Sequence, residues 1–174
     1  TAIGLLAAVV LGSCSSGRVV RSERADDASA STIGEVPMVG ASGRIAFDVS
    51  AAGLPDIFVM DGDGGSPVQL TNTPNVTEEQ PDWSPDGTRI VFGVSVEGSS
   101  NLWVMRADGT DAIQLTTTGG RGAAWSPDGA RIAYENLGAL WVMNADGTNP
   151  MQITAEGGYF GPAWSPDGKR LICN

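Results

Sequence analysis

The sequence predicts an all-β fold: a β-propeller of four-stranded blades, incomplete, with about three blades plus part of a fourth. Three observations predict it. Trp83-Ser84-Pro85-Asp86-Gly87 returns as Trp125-Ser126-Pro127-Asp128-Gly129 and as Trp164-Ser165-Pro166-Asp167-Gly168, at spacings of 42 and 39 residues. Each copy continues into short runs rich in β-branched and aromatic residues, separated by turn signals. The 24 Gly and 10 Pro among 174 residues supply those turns. A period of roughly 40–45 residues with several strands per unit is that of a propeller blade.

Within a unit the strands can be placed in order. Strand A ends at the Trp. Strand B is Arg-Ile-Val/Ala-Phe/Tyr, at Arg89 to Phe92 and Arg131 to Tyr134. Strand C is Leu-Trp-Val-Met, at Leu102 to Met105 and Leu140 to Met143, and strand D is Gln-Leu/Ile-Thr, at Gln114 to Thr116 and Gln152 to Thr154. A weaker first copy runs through Arg44 to Phe47, Ile57 to Met60 and Gln69 to Thr71, with Met38 where the Trp would stand.

Two connections keep their length and two do not. Trp to the next Arg is always six residues, and Met to the next Leu or Ile always ten. The other two intervals run 16, 16, 12 and 13, 10, 11. In the constant Ser-Pro-Asp-Gly turns, Pro presets φ, Ser and Asp bond local backbone, and Gly takes the left-handed conformation. Asp86-Gly87, Asp128-Gly129 and Asp167-Gly168 are therefore structural turns, as are the Asp108-Gly109 and Asp146-Gly147 hairpin tips.

Five Trp against two Tyr and four Phe place much of the packing on indole rings. Trp83, Trp125 and Trp164 recur at one position, which fits blade-to-blade packing better than a stacking platform for a ligand. Trp103 and Trp141 occupy the strand-C position of Phe58 and read the same way. Cys173 falls in the slot of Phe47, Phe92 and Tyr134, so a buried core thiol is expected.

Within residues 1–13, Ala2 to Leu11 form an apolar run too short to span a bilayer, followed by Gly12-Ser13-Cys14 and polar Ser15-Ser16-Gly17. The stretch resembles a bacterial lipoprotein signal peptide with a lipobox. The resemblance implies cleavage before Cys14, a lipid on that cysteine, and an extracytoplasmic protein anchored to a bacterial membrane. Residues 14–36 mix Ser, Ala, Asp and Arg without periodicity and read as a disordered tether, with the propeller from 37–174. Fully extended, the tether reaches at most about 70–80 Å.

The repeated Trp-Ser-Pro-Asp-Gly, Arg-Ile-Ala-Phe, Leu-Trp-Val-Met and Ala-Asp-Gly-Thr segments resemble the TolB-type WD-like propeller repeat across about residues 38–174. The resemblance implies a fold more than a function. Proteins with the repeat include a periplasmic component of the Tol–Pal envelope system, propellers attached to prolyl oligopeptidase-type hydrolases, and some polysaccharide lyases. The resemblance leads to an envelope module that binds a protein or small ligand; the alternative is the propeller of a longer enzyme. The array reaches Asn174 just after strand B of its fourth unit, which suggests a piece of a longer protein.

With no histidine in the chain, Ser-His-Asp and Cys-His nucleophile activation are excluded within it. No cofactor is expected. Glu78-Glu79 reads as a pair of adjacent, solvated loop carboxylates. Asp61-Gly62-Asp63-Gly64 lacks the closing Glu of a calcium loop, and Asp63 aligns with the hairpin aspartates. The net charge of −10 disfavours nucleic acid, since no basic stripe meets phosphates.

In a propeller the A–B and C–D turns share one face and the B–C and D–A loops the other. The variable-length connections are all of the second kind, and they carry the residues that do not repeat: Asn75 to Gln80, Arg121, Glu135-Asn136 and Tyr159-Phe160. The candidate binding face is therefore built on Glu78, Glu79, Gln80, Arg121, Tyr159 and Phe160, with aromatics and Arg as anchors. Tyr159 and Phe160 could equally cover a blade edge.

Overall fold

The computed structural model describes residues 43–50, 53–155 and 157–174. The signal peptide, Cys14 and the tether lie outside the described residues. Blade 1 comprises β1 (Arg44–Val49), β2 (Asp56–Asp61) and β3 (Val68–Gln69). Blade 2 comprises β4 (Thr77–Trp83), β5 (Arg89–Val96), β6 (Ser99–Arg106) and β7 (Ile113–Gln114). Blade 3 comprises β8 (Arg121–Trp125), β9 (Arg131–Asn136), β10 (Ala139–Asn144) and β11 (Met151–Gln152); β12 (Ala163–Trp164) and β13 (Leu171–Ile172) begin a fourth. Each sheet is an antiparallel meander in chain order.

The blades fan out because their first strands converge. β4 packs on β1 and β2, β8 on β5 and β6, and β12 on β8, whereas β3, β7 and β11 pair within their own blades. The core accordingly lies between blades. One cluster joins Ile57 and Val59 of blade 1 to Trp83, Ile90, Phe92 and Met105 of blade 2. A second joins Val91, Leu102 and Val104 of blade 2 to Ala123, Trp125, Ile132, Tyr134 and Met143 of blade 3.

The A–B turns repeat atom for atom. The N–H groups of Gly87, Gly129 and Gly168 donate to the carbonyls of Ser84, Ser126 and Ser165 at 2.8 Å, with glycine φ of 68°, 69° and 66°. Each Ser hydroxyl donates to the turn Asp (2.6, 2.5 and 2.5 Å) and accepts the N–H of Arg89, Arg131 or Arg170. The Ser hydroxyl bond is the main reason that Asp86, Asp128 and Asp167 are held below the usual carboxylate range.

The arginine that opens strand B is a seam residue. Arg44, Arg89 and Arg131 each lie over the Trp of the following blade, at 5.8 Å from Trp83, 4.7 Å from Trp125 and 4.6 Å from Trp164. The constant six-residue spacing from Trp to Arg thus sets two joints, the turn within the blade and the stack across the seam. Trp164 also donates Nε1–H to the Ala124 carbonyl of blade 3 at 3.2 Å.

The C–D hairpins are seam parts as well. Gly109 and Gly147 have φ of 85° and 84°, and a Cβ there would stand 2.9 Å from the Leu70 carbonyl oxygen and 3.0 Å from that of Leu115, each in the preceding blade. Gly64, with the same φ, meets nothing within 4 Å. Gly109→Ala and Gly147→Ala should therefore cost more than the ~1 kcal/mol of left-handed strain alone, and Gly64→Ala about that amount. Urea denaturation midpoints of the three variants check the order.

Three expectations are corrected. Strand D pairs through Val68–Gln69, Ile113–Gln114 and Met151–Gln152, one residue earlier than Gln-Leu-Thr. The Thr of that motif instead caps strand C, as Thr71, Thr116 and Thr154 hydroxyls accept the N–H of Ile57, Leu102 and Leu140 at 2.8, 2.9 and 3.0 Å. Cys173 is exposed, not buried. In the other blades its slot pairs with an aromatic of strand C, as in Phe47–Phe58, Phe92–Trp103 and Tyr134–Trp141, and no described strand lies beside β13 to cover it. Glu78 and Glu79 lie within β4, not in a loop, and Glu78 is only 5% exposed.

Candidate ligand groove on the variable-loop face

The first strands of blades 2 and 3 carry a bulge three residues before their Trp, and Gly161 stands at the same distance before Trp164. Gln80, Gly122 and Gly161 have φ of 55°, 57° and 56°, and the β4–β5 and β8–β9 registers shift at the first two. Such a bulge bends the strand and turns the residues before it toward the loops. Gln80 is the non-glycine example. Its N–H donates to Asp48 Oδ1 of blade 1 and its Oε1 accepts the Gly122 N–H of blade 3, both at 3.0 Å. Gln80 therefore ties three blades together.

The bulge presents Arg121 at the start of β8. Its Nε–H donates to Glu135 Oε2 across the β8–β9 pair, and its guanidinium carbon lies 5.4 Å from the Phe160 ring centre. Arg121 is half exposed and Glu135 buried, and Glu135 Oε1 also accepts the Gly138 N–H at 2.8 Å. The Gly138 carbonyl in turn accepts the N–H groups of Gly157, Gly158 and Tyr159. One B–C loop and one D–A loop are thereby bound together. Phe160 exchanges two backbone hydrogen bonds with Asn174 while its ring stays about half exposed (49%).

Glu78 sits elsewhere, at the junction of blades 1 and 2. Its N–H donates to the Pro55 carbonyl at 2.8 Å and its Oε1 accepts from the Thr73 hydroxyl at 3.0 Å. Burial raises its pKa above the ordinary glutamate value. The structure thus brings Arg121 and Phe160 together, with Tyr159 on the adjoining loop, links Gln80 to the strand that carries Arg121, and leaves Glu78 apart. Glu79 is half-buried opposite Gly93 in the β4–β5 ladder.

Between blades 2 and 3, on the face of Arg121, lies an open groove of about 570 Å³. Ser99 and Ser100 on one side, Thr117 and Thr118 at the end, and Glu135 to Gly138 on the other enclose it. Asn101 Oδ1 is used internally, accepting the Gly119 N–H at 3.1 Å, and the Ser100 hydroxyl donates to the Gly120 carbonyl at 3.1 Å. Gly119 takes φ of 108°, a conformation that favours glycine, and a Cβ there would displace the Asn136 side-chain oxygen. Asn101, Ser99 and Thr117 were not among the expected site residues. The only sequence signal for them is that the variable connections contain Gly-Ser-Ser-Asn and Thr-Thr-Thr-Gly-Gly, small polar runs with no strand pattern.

Comparison with known proteins places this geometry. A protein from Agrobacterium tumefaciens assigned as TolB superposes with a TM-score of 0.64 at 26% identity, over 75% of this chain and 53% of that one. TolB from Acinetobacter baumannii gives 0.64 at 20% identity, over 75% and 34%. A chain of the nidogen/laminin complex gives 0.63 at 18% identity, over 78% and 54%, a likeness of fold alone. The chain thus spans about half or less of these structures. No curated protein matches the sequence. The TolB beta propeller domain matches residues 28–139 and 75–174, and with the repeated turns, the inter-blade stacks and the radial sheets described above, the chain belongs to the TolB beta propeller domain family.

Proposed function

We propose that this chain is an extracytoplasmic binding module of the bacterial envelope, anchored to a membrane through a lipid on Cys14, that takes an envelope protein or small ligand on its variable-loop face. The observation that carries the reading is the division of labour between the two faces. The turns of one face are spent on structure: Ser–Asp–backbone bonds close each A–B turn, and close-packed glycines seat each C–D turn against the preceding blade. The other face gathers the non-repeated Arg121, Phe160 and Asn136 around an open groove. Leu137, 80% exposed at the tip of a two-residue connection on that face, fits a contact residue better than a packing one. The apolar stretch before Cys14 supports the anchor.

A photo-crosslinking amino acid tests the face. Placed at Leu137 in cells it should yield a discrete adduct; placed at Asp108, on the opposite face, it should yield none. Adducts from Asp108 alone would reverse the assignment. Labelling with an alkyne-bearing fatty acid tests the anchor: the label should appear on the protein and disappear in Cys14→Ser.

A further inference from the structure

We infer that the junction of blades 1 and 2 binds a hard divalent cation, calcium above all, between the carboxylates of Glu78 and Asp56. The first observation is Glu78 Oε2. The side chain is 5% exposed, its Oε1 accepts the Thr73 hydroxyl at 3.0 Å, and Oε2 is buried with no hydrogen-bond partner among the described residues. An ionised carboxylate can only accept, and leaving one of its oxygens buried without a donor is costly. What Oε2 lacks is a proton or a cation. The second observation is a second carboxyl beside it. Burial is the largest cause of the raised Glu78 pKa, the Thr71 and Thr73 hydroxyls oppose it, and Asp56 stands near enough to raise it further by charge and by hydrogen bonding. Asp56 is held in place from β3, its Oδ2 accepting from Gln69 Nε2 at 2.9 Å.

The third observation is what the other seams hold at the same places. Glu78 stands two residues before the left-handed Gln80, where Gly120 and Tyr159 precede Gly122 and Gly161. Asp56 stands one residue before Ile57, whose N–H meets the capping Thr, where Asn101 and Ala139 precede Leu102 and Leu140. Asn101 closes its seam with the protein's own groups, its Oδ1 accepting the Gly119 N–H at 3.1 Å. The repeat therefore packs without carboxylates at either place, and of the three described seams only the first sets two together. Like charges in a buried position destabilise the fold unless something positive lies between them. The donors set the class of ion. Two carboxylates and the Thr73 hydroxyl are all oxygen, which suits calcium or magnesium, and calcium accepts an irregular shell where magnesium demands an octahedron. Among the described residues no third Asp, Glu, Cys or His joins them, so the affinity belongs with the weaker extracellular calcium sites, about 10⁻⁴–10⁻³ M.

The test is a titration of the isotope-labelled full chain with calcium chloride at pH 7.5, with ionic strength held constant by potassium chloride. The carboxyl carbons of Glu78 and Asp56 and the amide of Thr73 should shift saturably, with a midpoint of about 0.1–1 mM. Glu78→Gln, which keeps the size of the side chain, should weaken binding at least ten-fold, and Asp56→Asn at least five-fold. Glu97→Gln, at an exposed carboxylate between β5 and β6, should leave it unchanged. Urea unfolding without calcium guards against a folding defect: Glu78→Gln removes a buried charge and should unfold at the parent midpoint or above it. No saturable shift by about 10 mM calcium, ten times the weakest expected dissociation constant, would overturn the assignment. So would undiminished binding by Glu78→Gln, or a Glu78 carboxyl that stays protonated at that concentration, the last in favour of a proton shared by the two acids.

Discussion

Trp125→Ala is expected to lower the stability of the fold by about 3–5 kcal/mol, the range for removing a large aromatic from a packed core. The indole is 5% exposed and joins the cluster shared by blades 2 and 3. Arg89 covers its ring at 4.7 Å. The substitution therefore opens a cavity in a seam and strips the arginine of its stacking partner, worth a further ~1 kcal/mol. Trp164→Ala should cost clearly less. Its ring has the equivalent arginine, Arg131, above it at 4.6 Å, but the side chain is only half-buried and belongs to the two-stranded β12–β13 sheet. Urea unfolding followed by the remaining tryptophans gives both values, and equal losses would contradict the account of where the core lies. The paired variant Arg89→Met, which keeps the apolar stem and removes the charge, should lose no more than ~1–2 kcal/mol.

The second large effect is a stability that rises as the solution is made mildly acidic. Asp82 stands in β4 where blades 3 and 4 carry Ala124 and Ala163. Its Oδ2 accepts the Trp125 N–H across the seam at 2.8 Å. Burial between the blades pushes its pKa from 3.8 up to about 7, against the opposing pull of the Trp125 and Trp83 N–H groups. A carboxyl whose folded pKa is raised binds its proton more tightly in the folded chain. Its contribution to stability is fully present below the unfolded value near 3.8 and is lost as the pH climbs through about 7. At 1.36 kcal/mol per pKa unit, the swing between those limits is about 4 kcal/mol at most. Glu78, raised mainly by burial, acts in the same direction.

The turn aspartates oppose this at lower pH. Asp86, Asp108, Asp128, Asp146 and Asp167 are held below their ordinary value, by a Ser hydroxyl in the A–B turns and by Thr110 or Thr148 in the C–D turns. Their share of stability is present above the unfolded pKa and is lost as pH falls through the lowered values. Stability should peak at roughly pH 4, below which the turn aspartates lose their share and above which Asp82 progressively loses its own. Asp82→Asn retains an acceptor for the Trp125 N–H without the charge. It should be more stable than the parent at pH 7.5, with the difference much reduced at pH 5 and gone near pH 4. A denaturation series at the three pH values reads this directly, and a variant with the parent's pH dependence would remove Asp82 as the cause.

Much of the blade was legible because its signals are local. Ser-Pro-Asp-Gly encodes a turn whose φ values and hydrogen bonds involve residues no more than five apart, and the structure shows the same atoms bonded in all three copies. The strand patterns and the placement of variable loops followed from spacing. Arg89 and its counterparts were read only as the start of strand B, since their stacking partner lies 36 residues away, as in Arg89 over Trp125. The adjacent carboxylates Glu78-Glu79 read as a solvated loop pair, because neighbouring charges are usually left in water. The β-bulge at Gln80 extends β4 backward and buries one of them.

The candidate site was legible in outline. Arg121 and Phe160 were named for being non-repeated, and they do meet. That Asn101, Asn136 and Thr117 share one groove depends on how blade 3 leans on blade 2, which no single repeat encodes.

The sequence by itself determined the repeat, its four-strand order, the turn chemistry and the division into constant and variable connections, because each rests on contacts within one unit. Only the tertiary structure decided which residues serve the seams, which carboxyls are taken out of water, and which side chains share the groove. Those properties arise where one blade's side chains meet the next blade, 32 or more residues along the chain, and burial there is set by the angle between sheets and not by any local pattern.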